Sequence, residues 1–415
     1  MKVLYFDPKF LTPRHAAPTR AYSIARRLVE RGHEVTMVAR DPRWLAIGES
    51  PPPGLLGRRE HVDGIDVLWL RIPYEQRFSK RKRLLSYGAY SIAASVASLR
   101  LGKPDLVYAS STPLTSGVPG AFASRLRGVP FVFELQDLWP AVPAALGFLS
   151  PGRELALAEW LERSLYARSD RLVVCSAAVV SALAERGIPR DKLVLVPNFS
   201  DTDLFRPDKR DDDFRKSHGL DGRFVAVYAG AMGASNGVDQ LADAAAALKR
   251  AGDQNIRIVV VGDGNEREAL EQRIQREGLE NILVLPPVPR EDVPGLVGSA
   301  DVTLTVFAPN PALALNSPNK FFDSLAAGRP IVVNVDGWLR RLIEDNEAGI
   351  YAPAGDGKAL AEALQALAGD PERVRKMGGN ARALAVREFA RDLLTDRLAA
   401  TLEEVAAANG RAVRS

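Results

Sequence analysis

The sequence predicts two α/β domains, each built on a largely parallel sheet, and three observations carry that prediction. Short apolar runs alternate with segments of helical period along most of the 415 residues. The chain is too long for one typical core, so two domains of roughly 200 residues each are expected. The stretch Pro197–Pro207 (PNFSDTDLFRP) has proline at each end and turn residues within, as a linker does.

The first unit opens with Lys2–Phe6 (KVLYF), a buried strand by its composition. Ala21, Ile24, Ala25 and Leu28 then mark one face of a helix that stops at Gly32, and His33–Val38 is the next strand. Strand, helix and strand at this spacing form a βαβ unit, which implies parallel pairing. Ligands of such sheets bind at the carboxyl ends of strands. The loop after the first strand, PKFLTPRHAAPTR, lies there and lacks G-x-G-x-x-G, so a dinucleotide site is not supported. Arg14, His15 and Arg20 are its ligand-facing candidates, weighed against plain surface charge.

Val67–Ile72 is a further strand. Lys80, Arg81, Lys82 and Arg83 then precede a helical stripe of Leu85, Ala89, Ile92, Val96 and Leu99. One account is a core-facing helix with a basic start. The other is a surface resting on anionic lipid, because clustered cations beside apolar residues favour that interface. Leu106–Tyr108 and Phe131–Leu135 are short buried strands, with a helix in Thr112–Arg125 between them. Directly after the second comes ELQDLWPAVPAALG. Asp137 and Trp139, at a strand's carboxyl end, are acceptor-side candidates; the alternative is a packed indole and a capping carboxylate. Leu172–Cys175, a helix at Ala177–Arg186 and Leu193–Val196 close the first unit.

In the second unit Phe224–Ala229 is a strand ending in GAMGASNG (230–237), followed by a helix with Val238, Leu241, Ala245 and Leu248 on one face. Its glycines let backbone N–H groups approach an anion, although no Walker sequence follows. Ile256–Val261 runs into Gly262-Asp263-Gly264. Ile282–Leu285 leads to Pro287–Arg290, and Val302–Val306 leads to the most informative stretch, NSPNKFFDSLAAGRPIVVN (316–334). There a helix is expected from about Pro318 to Ala327, with Ser317 as N-cap and Gly328 at the stop. Its first turn offers free N–H groups, a positive dipole end and the Lys320 ammonium, an arrangement that suits phosphate. Lys320 and Asp323 share a helix face, so one can meet a phosphate while the other meets a hydroxyl. After Lys358 the chain reads as mostly helical.

Composition narrows the classes. The chain is 46% hydrophobic and 26% charged, as ordinary globular proteins are. Its net charge of +4 argues against a global nucleic-acid field. The single cysteine, Cys175, ends an apolar run and reads as a core residue, which suits a cytoplasmic setting. The start, MKVLYFDPKF, does not read as a signal peptide, and no apolar run has the length to span a bilayer. Asp201-Thr202-Asp203 matches the Asp-x-Asp by which some sugar transferases hold a metal. It sits in the linker rather than at a strand end, so no metal site is expected.

Taken in order, Gly32–Thr36 (GHEVT), Val196–Pro207, Val260–Glu268 (VVGDGNERE) and Ser317–Val332 resemble family 4 retaining glycosyltransferases over nearly the whole chain. ELQDLWP followed by ALG is similar to the subgroup that builds bacterial surface polysaccharides on lipid carriers. The resemblance implies a GT-B fold, two Rossmann-like domains facing a central cleft, with C-terminal helices returning to the first domain. The expected bounds are 1–197 for the acceptor domain, 198–385 for the nucleotide-sugar domain and 386–415 for the returning helix. It implies a UDP- or GDP-sugar donor, a glycan or lipid-linked acceptor, no cofactor and no metal. In this family the lysine matching Lys320 contacts the diphosphate, the acid matching Asp323 binds the ribose, and Val288–Arg290 borders the base. The donor-side set is Gly230, Met232, Gly233, Val288, Arg290, Ser317, Asn319, Lys320 and Asp323. The acceptor-side set is Arg14, Arg20 and Trp139, and Asp137, Lys320 and Asp323 are the catalytic candidates.

Several positions depart from the family pattern. Leu315 stands where members carry the first of two glutamates. Ala231 and Asn236 replace the usual Gly-Arg and Glu-Lys positions of the phosphate loop. Gln136 replaces a histidine, and the first-domain glycine loop is His15-Ala16-Ala17. The alternative these departures favour is a nucleotide-sugar-binding protein of the same fold without turnover. An epimerase or phosphorylase on this fold is a third reading. The expected location is the cytoplasm, with peripheral contact at the inner membrane face through Lys80–Arg83.

Overall fold

A computed structural model describes residues 1–13, 20–42, 57–75 and 78–412, and they fall into two compact units. One comprises Met1–Pro197 with Thr395–Ser415, the other Asn198–Leu394. The first unit holds an eight-stranded sheet in the order β3-β4-β2-β1-β5-β6-β7-β8. Its strands are β1 Lys2–Phe6, β2 Glu34–Arg40, β3 Arg58–Val62, β4 Ile65–Leu70, β5 Leu106–Ser110, β6 Phe131–Leu135, β7 Arg171–Val174 and β8 Leu193–Leu195. Every pairing is parallel except β3 with β4. The central strands β1, β5 and β6 are mostly apolar and almost wholly buried, as helices on both faces of a parallel sheet require.

The second unit is a six-stranded parallel sheet in the order β11-β10-β9-β12-β13-β14. Here β9 is Phe224–Ala229, β10 Ile256–Val261, β11 Ile282–Leu285, β12 Val302–Thr305, β13 Ile331–Val333 and β14 Gly349–Tyr351. Both sheets are doubly wound, with the fold class of a GT-B protein.

Two local expectations fail. The helix at Lys80–Ser98 forms, but its large apolar stripe faces outward: Leu85 is 73% and Ile92 69% exposed, and Val96 and Leu99 are exposed too. The core-facing account is therefore corrected. The buried face is Ser86, Tyr90, Ser91, Ala94, Ala97 and Ser98. Small side chains let this helix approach closely, and its hydroxyls find backbone partners. Ser86 Oγ donates to Pro73 O at 2.7 Å, Ser91 Oγ to Thr115 O at 2.8 Å, and Tyr90 Oη to Val38 O at 2.7 Å. The second failure is the cap at Ser317. The helix runs Asn319–Ala326, Pro318 occupies the N-cap position, and no side chain caps it.

The last helix, Arg391–Ala412, belongs to the first unit from Thr395 onward. There Glu403 accepts two hydrogen bonds from Arg31, at 2.9 and 2.8 Å, and lies 2.7 Å from His33 Nε2. Those donors hold its carboxyl down at about 2. A carboxylate depressed on folding stabilises above its unfolded value and loses that contribution as acid titrates it. Glu403→Gln should therefore cost about 1 kcal/mol at pH 7, a modest value because the pair is partly solvated. In urea unfolding the gap from wild type should narrow below the unfolded value of 4.5 and close near 2. A gap independent of pH would rule this ion pair out as its source.

Candidate active site

In the second unit the site is assembled from loops at the carboxyl ends of β9, β11 and β12. The helix Asn319–Ala326 is anchored by Phe321, Phe322 and Leu325, all fully buried. Phe322 packs against Trp338 and Phe389, with ring centres 6.3 and 5.0 Å away. Burying a phenylalanine contributes about 2–3 kcal/mol, so this face fixes the helix and turns Lys320 and Asp323 the other way.

The Lys320 ammonium donates to Tyr228 Oη at 2.5 Å and sits 3.8 Å from the centre of that ring. Tyr228 Oη in turn donates to Ala231 O at 2.5 Å. Among the described residues no carboxylate pairs with Lys320, and burial lowers its pKa to about 7. Gly230 makes room for it: a Cβ there would meet Lys320 Cε at 2.9 Å. Gly262 is needed as well, because a Cβ at that position would come within 1.9 Å of Gly230 O, where the loops after β9 and β10 cross. Ser317, 9% exposed, carries a buried hydroxyl without a hydrogen-bond partner. An uncapped helix start, an unpaired ammonium and an idle hydroxyl lie within four residues. Such an arrangement suits an anionic ligand.

Asp323 lies one turn on. Burial pushes its carboxyl up to about 6, while a hydrogen bond from Ser200 Oγ at 2.7 Å and the nearby Arg290 charge pull it back. Arg290 is half-buried, and desolvation lowers its own pKa despite Asp323. Val288 packs partly buried against the core beside it, and Asn319 is exposed at the helix start. Lys320, Asp323, Arg290 and Gly230 thus come together. Met232 does not face them: it is wholly buried in the core, its N–H donates to Asp263 O and its carbonyl accepts from Glu266 N–H. The Gly233 N–H is held by Asn236 Oδ1 at 3.2 Å. Leu315 ends a single 3₁₀ turn, Pro311–Leu315, just before this helix. Asp201 accepts from the N–H groups of Asp203 and Leu204 and pairs with Arg391, as a turn-forming carboxylate does.

In the first unit Asp137 and Trp139 are both half-buried at the end of β6, and burial raises the Asp137 carboxyl. Arg20 is not the ligand-facing cation expected. It is buried, ion-paired with Glu134, and donates to Val196 O and Pro197 O at 2.7 Å each. Arg14 and His15-Ala16-Ala17 lie outside the described residues. Sequence reasoning missed Asp7 at the end of β1, which accepts from Ser110 Oγ at 2.7 Å and is pushed up to about 6 by burial. It also missed Arg40 at the end of β2. That guanidinium is buried over Tyr74, Tyr87 and Tyr90, 4.7, 5.5 and 5.4 Å from their ring centres, with Nε and Nη2 unpartnered. Tyr228 and Ser200 were overlooked too. The position of Tyr228, two residues before the glycine loop, was its only signal.

Residues 16–198 match the family described as "Glycosyl transferase 4-like domain", and residues 210–384 match "Glycosyl transferases group 1". The chain is 26% identical over 326 residues to the putative colanic acid biosynthesis glycosyl transferase WcaI of Escherichia coli, covering 75% of this chain and 77% of that one. Its fold is similar to the solved sucrose-phosphate synthase of Thermosynechococcus elongatus, with TM-score 0.77, 18% identity and coverage of 98% and 100%. It is also similar to Anabaena Alr3699/HepE, solved in complex with UDP-glucose, with TM-score 0.70, 19% identity and coverage of 97% and 100%.

The two shifted groups set a pH window. Lys320 carries its charge below about 7 and Asp323 carries its own above about 6. Calorimetric affinity for uridine or guanosine diphosphate should fall as pH rises through 7, with net proton uptake by the protein above that point. In Lys320→Arg, which stays charged, that fall should disappear. The same alkaline fall in both proteins would clear Lys320 of responsibility.

Proposed function

Because this chain is a glycosyltransferase of the GT-B fold, we propose that it moves a sugar from a nucleoside diphosphate donor, UDP- or GDP-linked, to a glycan or lipid-linked saccharide. The proposed chemistry is retaining and metal-independent, as in family 4, and the proposed setting is synthesis of cell-surface polysaccharide. The observation that carries the donor reading is Lys320, a partly buried ammonium with no counter-carboxylate at an uncapped helix start. The name of the Escherichia coli relative supports the setting, and the UDP-glucose held by the Anabaena protein supports the donor class.

In the reaction the bond from the anomeric carbon to the diphosphate oxygen breaks as the acceptor oxygen bonds to the same face. The electron pair leaves with the diphosphate. Lys320 and the helix N–H groups meet the charge that develops there, and such preorganised donors are worth about 3 kcal/mol each. The Asp323 carboxylate accepts from the ribose hydroxyls, and Arg290 with Val288 borders the base. Asp137 orients the acceptor hydroxyl or receives its proton; a carboxyl raised by burial suits that work near neutrality.

The test is a panel of UDP-, GDP- and TDP-sugars, with and without a lipid-linked acceptor, read as release of free nucleotide. Lys320→Ala should lower turnover about 100-fold with the fold intact by circular dichroism. An unchanged rate would remove Lys320 from the mechanism. Chelating divalent cations should leave the wild-type rate as it was.

Asp137→Asn gives a separate readout. Its rate should fall and lose the acid limb of the pH profile that the wild-type carboxyl imposes. Wild-type rates at every pH would assign acceptor activation elsewhere.

A further inference from the structure

We propose that the first unit rests on an anionic lipid bilayer through the helix Lys80–Ser98 and the exposed side of its neighbour, Gly117–Arg127. The helix Lys80–Ser98 shows solvent larger apolar side chains than it buries. Leu85, Ile92, Val96 and Leu99 lie at helical spacing on one outward ridge, while the inward face is mainly serine and alanine. A helix whose core contacts are made by its small residues has its large ones available for another apolar phase. Phe122 and Leu126 of Gly117–Arg127 are exposed as well. The two helices are joined at their ends, where Arg127 donates to the carbonyls of Ser98, Leu99 and Leu101. Exposed apolar side chains are thus present on both of these joined helices.

Charge identifies the occupant. Residues 80–104 and 113–130 contain Lys80, Arg81, Lys82, Arg83, Arg100, Lys103, Arg125 and Arg127 and no aspartate or glutamate. Lys80 is partly neutralised by Glu154, 2.7 Å away, and Arg127 is held by backbone. Arg81, Lys82, Arg100, Lys103 and Arg125 are exposed around the ridge. A second copy docked through the same face would set these cations against one another. Anionic headgroups would accept them while the side chains of the ridge entered the acyl boundary. Among the described residues no helix is long and apolar enough to cross a membrane, so the contact lies in the plane of the surface.

The full chain should float with vesicles of phosphatidylcholine containing about one third phosphatidylglycerol and stay behind with phosphatidylcholine alone. Ile92→Glu, and separately the triple variant Arg81→Gln, Lys82→Gln, Arg100→Gln, should each lower the floated fraction about tenfold. All these side chains are exposed, so thermal unfolding should be unchanged. Equal flotation of wild type and variants, or no preference for anionic vesicles, overturns the proposal. A lipid-free dimer in sedimentation equilibrium that Ile92→Glu splits also overturns it, by making a second copy the occupant. No turnover is read, so failure here leaves the transferase reading standing, and the reverse holds too.

Discussion

The functional site depends on one unbalanced charge. The Lys320 ammonium is pressed against the face and hydroxyl of Tyr228, and burial alone lowers its pKa to about 7. A structural lysine at such a depth would ordinarily be paired with a carboxylate, because desolvating an ammonium is costly. Here the partner is a neutral phenol, which steadies the amine and leaves its charge for a ligand. An anion placed there would supply the missing counter-charge, and the N–H groups of the uncapped helix start favour the same sign of ligand.

The surrounding sequence serves this placement. Phe321 and Phe322 lock the short helix into the core, and this fixes which way Lys320 and Asp323 point. Gly230 leaves space for the lysine stem, and Gly262 lets two strand-end loops cross at a distance no side chain would permit. Behind the rim, Asn334 and Gln240 form a buried amide pair that also holds the Phe307 carbonyl. Rigid support of this kind keeps the donor groups oriented before a ligand arrives, which is where electrostatic stabilisation gains its size.

The two units treat buried charge differently. In the first, Arg20 and Glu134 neutralise one another across 114 residues of sequence, and each terminal nitrogen of the guanidinium donates to a backbone carbonyl. That cluster is closed to ligands and holds the end of the first unit in place. Arg40 is the opposite case, a buried guanidinium set against three tyrosine faces rather than an anion, with Nε and Nη2 left without hydrogen-bond partners. At the rim of the first sheet, Asp7 and Asp137 are both raised by burial, so this edge too keeps carboxyls out of their ordinary range.

The amino-acid sequence by itself determined the strands of both sheets wherever a strand is central. KVLYF, FVAVYA and IRIVVV can be read directly, because burial on both faces requires unbroken apolar runs. It also determined that Lys320 and Asp323 share a face, since helical period is local. It did not reveal β3, whose RREHV is an edge strand with a polar face, or β14, which is three residues long. Tertiary structure alone decided the rest. Period located the stripe of Lys80–Ser98 but not which side meets the core, and there close packing of serine and alanine prevailed over hydrophobic area. The partners of Arg20, Lys320 and Asp323 lie 114, 92 and 123 residues away. A local pattern carries no information about such pairings; they exist only once the strands have been set side by side.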